Sequence, residues 1–146
     1  MRERRLSAEQ RRTISERAGG CCEYCRSQER FSPQPFAIEH ILPQSSGGPT
    51  TLDNLAFACQ GCNNHKYIHT AARDPATGTT VPLFHPRQQH WQAHFTWNDD
   101  YTRVLGLTPT GRATVVTLRL NRPGLVNLRR ALYAVGLHPP PEAETT

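Results

Sequence analysis

The stretch Cys59-Gln60-Gly61-Cys62-Asn63-Asn64-His65-Lys66 gathers two thiols, two asparagine amides, an imidazole and an ammonium into eight residues. An earlier C-x-x-C pair, Cys22 and Cys25, precedes it with residues 26–58 between. Two such knuckles supply four thiolates at tetrahedral reach, which suits a zinc ion with Zn–S bonds of about 2.3 Å. A closed four-thiolate shell leaves no position for a substrate, so the zinc expected here is structural. Cys21 is left over, because its neighbour Cys22 has the right spacing to Cys25. The clip alone leaves Asn63, His65 and Lys66 without a purpose.

Short elements must hold these residues. Ser7 followed by Gln10 reads as a capping box that opens a helix over 8–18, stopped by Gly19-Gly20. Residues 21–31 form a knuckle around "CEYC", and "FAIEHILP" (36–43) reads as a strand that ends at a proline. "QSSGGPTTLDN" is built from turn residues, "NLAFAC" is a second strand, and a helix is expected to begin near Asn63 or Asn64. "RDPATGTTVPLFHP" reads as loop. Beyond it, "HFTWNDDYTRVLGLT" alternates around a polar centre and predicts a hairpin. Thr108-Pro109 opens a helix over 109–119. Arg122-Pro123 opens another, with Leu125, Leu128, Leu132 and Val135 on one face and Gly136 as its stop.

Composition bounds the chemistry. A hydrophobic share of 36% in 146 residues implies one modest core, the kind that benefits from a metal staple. A net charge of +5 makes a polyanion a natural partner. No apolar run approaches the roughly 18 residues a membrane span needs. The charged start "MRERRLSAEQRR" is followed by no apolar segment, so a cytoplasmic setting with reduced, metal-binding cysteines is expected.

Taken in order, "CEYC", "EHILPQSSGG", "LDNL" and "CQGCNNHK" resemble the HNH endonuclease family, over about residues 20–69. The resemblance implies an α+β fold. Its core would be a small ββα-metal (His-Me) finger over 20–75, stapled by the four-cysteine zinc site of Cys22, Cys25, Cys59 and Cys62. An N-terminal helix (1–19), a hairpin-and-helix extension (76–138) and a mobile tail (139–146) would surround it. It also implies roles. His40 is the general base, since an imidazole with an ordinary pKa of about 6.5 can accept a proton from water at neutral pH. Asn54 pins the loop behind it, and its position after Asp53 also suits a turn cap. Asn63 and Glu39 hold a catalytic Mg²⁺ or Mn²⁺. Because adjacent strand residues face opposite ways, Glu39 and His40 converge only if the strand end twists. Lys66 and His69 are candidate phosphate contacts, while His65 faces solvent. Arg112, Arg119, Arg122, Arg129 and Arg130 are candidates to clamp duplex backbone.

The implied function is hydrolysis of DNA phosphodiesters, leaving 5′-phosphate and 3′-hydroxyl ends, with double-stranded DNA as the expected partner. Three rivals use parts of the same pattern. A silent zinc module that binds nucleic acid needs the cysteines but not His40. An RNA nuclease could use the same scaffold. A RING-type interaction module would need a second, interleaved set of zinc ligands, which the sequence lacks.

Overall fold

The computed structural model describes residues 6–142. Helix α1 (Ala8–Arg17) begins at Ser7, whose hydroxyl accepts from the Gln10 amide while the Gln10 side chain accepts from Ser7 N. That reciprocal pairing satisfies two otherwise orphaned donors. Ile14 anchors the helix in the core, and Arg17 reaches across to the carbonyls of Leu52 and Leu55 at 2.8 and 2.6 Å. Gly19 and Gly20 follow at φ +63° and +71°, a backbone that turns the chain into the first knuckle.

Strand β1 (Ala37–His40) pairs antiparallel with β2 (Leu55–Ala58), setting Glu39 opposite Ala56 and His40 opposite Leu55. All four β2 residues are buried, and α2 (Gln60–Lys66) follows at once. This is a ββα unit. The helix starts at Gln60, three residues before the expected Asn63, because the Cys59 sulfur acts as its N-cap and accepts from Cys62 N. Asn63 therefore stands in the second turn and is not a cap.

The remaining described residues form two further strand pairs and three α-helices. β3 (Ala71–Arg73) pairs with β4 (Thr80–Pro82), a hairpin within the stretch expected to be loop. Its turn is organised by Asp74, which accepts from Ala76 N and Thr77 Oγ1. The short α3 (Trp91–His94), unforeseen in the sequence, leads into β5 (Phe95–Trp97), which pairs with β6 (Val104–Gly106) as the expected hairpin. Helices α4 (Pro109–Thr117) and α5 (Pro123–Ala134) complete the order. Leu125, Leu128 and Leu132 are half-buried as anticipated, whereas Val135 is 67% exposed.

A chain of aromatic contacts joins the ββα unit to the rest. Tyr24 meets Phe84 edge-on, Phe84 meets Phe95, and Trp91 lies against Phe95 and donates its indole N–H to the Tyr24 carbonyl. Arg26 donates to the Pro141 carbonyl at 2.8 Å, so the stretch expected to be a tail from 139 begins docked on the protein. Residues 143–146 lie outside the described part. Among the described residues no helix is long and apolar enough to cross a membrane.

Candidate active site

The four sulfurs of Cys22, Cys25, Cys59 and Cys62 lie within 4.8 Å of one another, all buried. Ligands about 2.3 Å from a tetrahedral zinc are about 3.8 Å apart, and Cys25 and Cys59 are separated by 3.6 Å. The donor set therefore fits a structural zinc. Hydrogen bonds from Cys22, Cys25 and Cys62 hold the Cys59 thiol far below its ordinary range. Arg122, expected as a clamp for DNA backbone, turns its guanidinium to the clip instead, 3.6 Å from Cys62 Sγ and 3.5 Å from Cys59 Sγ. It offsets the charge of the thiolates. Cys21 takes no part, and its thiol points at the Gly19 carbonyl.

His40 ends β1, and its Nε2 lies 2.9 Å from Thr50 Oγ1. Thr50 belongs to the loop that leaves β1 and returns through Asn54. The Asn54 amide closes that loop: Oδ1 accepts from Leu42 N, and Nδ2 donates to the carbonyls of Leu42 and Pro49. The glycine pair in "QSSGG" has a matching purpose. Gly47 turns at φ +86°, and a Cβ on Gly48 would lie 1.8 Å from the Leu42 carbonyl oxygen. Thr50 and Gly48 carried no recognised signal in the sequence beyond their place in a turn-rich run.

Glu39 and Lys66 differ from what the resemblance implied. Glu39 is 4% exposed, and its carboxylate is met by the Lys66 ammonium at 2.5 Å and by the Tyr24 hydroxyl at 2.6 Å. Burial pushes its pKa up against the pull of Lys66. Burial and the neighbouring Glu39 push the Tyr24 phenol well above its ordinary range, so it serves as the donor. In this arrangement Glu39 faces the interior and offers nothing to a hydrated cation. Lys66, 1% exposed, spends its donors on Glu39 and on the Ile41 carbonyl at 2.9 Å and cannot reach a phosphate. The alternation of strand faces accounts for the placement of Glu39, which points inward where His40 points outward.

The other expected contacts divide. Asn63 is partly exposed on α2, and His69 is exposed beside Tyr67. His65 is half-buried, its pKa lowered by burial and by Arg122 and Arg119. Arg130 and Arg119 are exposed. Arg129 is not: only 4% exposed, it donates to the carbonyls of Thr102, Leu120 and Cys25 and lies over the Trp97 ring. It is an internal fastener between α5, the β5–β6 hairpin and the first knuckle, not a DNA contact. Arg112 is likewise engaged, in a two-pronged pair with Asp74 at 2.9 Å.

No curated protein and no solved structure matches the chain. The family model described as HNH endonuclease matches residues 22–67, the span that holds all four cysteines, and this match suggests a nuclease-type or nucleic-acid-binding function.

Proposed function

We propose that the chain is an endonuclease that hydrolyses nucleic-acid phosphodiesters, with double-stranded DNA as its substrate and Mg²⁺ or Mn²⁺ as its required ion. One observation carries the reading. Within the matched segment, an imidazole at a strand end is hydrogen-bonded to Thr50 on a loop fixed by the Asn54 amide, and the strand that bears it packs against the helix that bears Asn63. In this reading His40 takes a proton from a water as its oxygen attacks phosphorus in line. The bond from phosphorus to the 3′-oxygen breaks, and solvent protonates the departing oxygen, leaving 5′-phosphate and 3′-hydroxyl ends. Asn54 contributes by holding the loop, and through it the imbedded Thr50 partner of His40.

The expected ligands fit a hard cation only in part. Asn63 has a partly exposed carboxamide oxygen to offer, whereas Glu39 is committed to Lys66 and Tyr24. When bound, such an ion supplies charge neutralisation at phosphate. The remaining charge on the substrate would be met by Arg119, Arg130 and His69 on the surface. A reducing, cytoplasmic compartment keeps the four cysteines as thiols and suits the clip.

The test is a cleavage assay that offers supercoiled plasmid, linear duplex and RNA side by side to wild type and His40→Ala. Brief EDTA treatment should stop cleavage while zinc, counted by elemental analysis, stays near one per chain, and Mg²⁺ or Mn²⁺ should then restore it. Preference for RNA would move the substrate class. Binding without any cutting would leave a silent zinc module.

A further inference from the structure

The geometry points to Lys66 and Glu39 as a positioning pair for His40, an inference that rests on the nuclease reading above. Glu39 precedes His40 and Ile41 follows it, and the Lys66 ammonium holds both neighbours, meeting Glu39 Oε1 at 2.5 Å and the Ile41 carbonyl at 2.9 Å. The backbone on either side of the imidazole is thereby fixed to α2, whose start is set by the Cys59 cap. Tyr24, between Cys22 and Cys25, closes the other carboxylate oxygen at 2.6 Å. Each cysteine knuckle thus reaches the base through one buried side chain, Tyr24 from the first and Lys66 from the second.

Stability alone does not call for this arrangement. A charge pair with side chains 2% and 4% exposed gives up most of its hydration, and an apolar pair of the same volume often serves folding as well. An apolar pair could not hold the Ile41 carbonyl, however. Position is what the ammonium adds, and misplacing a reacting group by about 1 Å costs on the order of 10²-fold in rate. The same contacts remove Glu39 from the set of cation ligands.

The double variant Glu39→Gln/Lys66→Met separates position from stability. It removes both buried charges together, so it should keep its zinc and a cooperative thermal transition, lowered only by the orphaned Ile41 carbonyl. The Ile41 carbonyl loses its donor, and kcat should fall about 10²-fold with KM within a few-fold. The acid-side rise of the pH–rate profile, which reports deprotonation of the base, should persist and lead to a lower plateau, and Lys66→Arg should recover part of the loss. A double variant that cleaves like wild type would overturn the inference, since the pair would then serve folding only. A second arm measures Mn²⁺ binding by water-proton relaxation on Glu39→Gln alone, so it does not depend on the double variant folding. Unchanged binding is expected, and a tenfold weakening would return Glu39 to the ligand set. If wild type cuts no nucleic acid, the nuclease reading fails separately. The His40 ring signals in ¹H–¹⁵N spectra still decide the pair: shifted or broadened in the double variant if it positions the ring, unchanged if it does not.

Discussion

The place of His40 at a strand end and the loop-holding contacts of Asn54 were expected from the sequence because each is local to a motif. The partners of Glu39 and Lys66 were not, because a contact between positions 39 and 66 is made by the fold and leaves no spacing to read. His40→Ala should lower cleavage by roughly 10²–10⁴-fold, the usual worth of general-base catalysis. Zinc content and the thermal transition should barely move, since His40 is only partly buried at a strand end. Activity within a few-fold of wild type would sink its assignment as the base. Asn54→Ala should act differently. It deletes hydrogen bonds to Leu42 N, Leu42 O and Pro49 O in a buried setting, each worth about 1 kcal/mol net. A loss of about 2–3 kcal/mol in stability is expected, together with faster amide exchange through residues 42–50. Slow exchange there in the mutant would show that the loop holds itself.

At the scale of elements, the capping box of α1 and the hairpin centred on Asn98 were legible because capping and turn chemistry are local. The β3–β4 hairpin was not, because strands of three residues are too short to show alternation and Pro82 speaks against a strand. What fixes that hairpin is long-range: Arg112 on α4 grips the buried carboxylate of Asp74 at its turn. The hydrogen bonds from Arg112 hold the Asp74 carboxyl below its ordinary range. A carboxyl with a depressed folded pKa adds stability above its unfolded pKa of about 3.9, and the gain fades as pH falls toward the folded value. Thermal melts of wild type should therefore lose stability below about pH 4, and Asp74→Asn should flatten that loss. A mutant with the same acid-side slope would assign it to other carboxylates. Cys59 links two elements, being both a sulfur of the clip and the cap of α2. Cys59→Ser should release zinc, raise protease sensitivity and end cleavage together, because metal binding on the order of 10 kcal/mol is also folding free energy. A mutant that stays folded and active without zinc would mean that the clip is dispensable.

For the whole molecule, composition indicated a basic protein but not which cations face outward. Five arginines near the C-terminal helices read alike in sequence, and burial sorts them: Arg112, Arg122 and Arg129 are spent on Asp74, the cysteine clip and backbone carbonyls, while Arg119 and Arg130 remain on the surface. Arg129→Ala should therefore be a folding mutation. It takes a charged donor from the carbonyls of Thr102, Leu120 and Cys25, where each such bond is worth about 1.5–3 kcal/mol taken singly. A loss of at least about 3 kcal/mol should follow, read by denaturant titration. Nucleic-acid binding should instead follow the surface pair. Each phosphate contact contributes about −0.9 to the slope of log K against log salt. Replacing Arg130 by alanine and Arg119 by glycine, which suits its φ of +51°, should flatten the slope by up to about 2. Arg129→Met, measured on its folded fraction, should leave the slope where it was. The comparison is best made on a His40→Ala background, where no substrate is consumed. If the Arg129 variant flattened the slope and the surface pair did not, the basic face that meets the polyanion would have to lie elsewhere on the molecule.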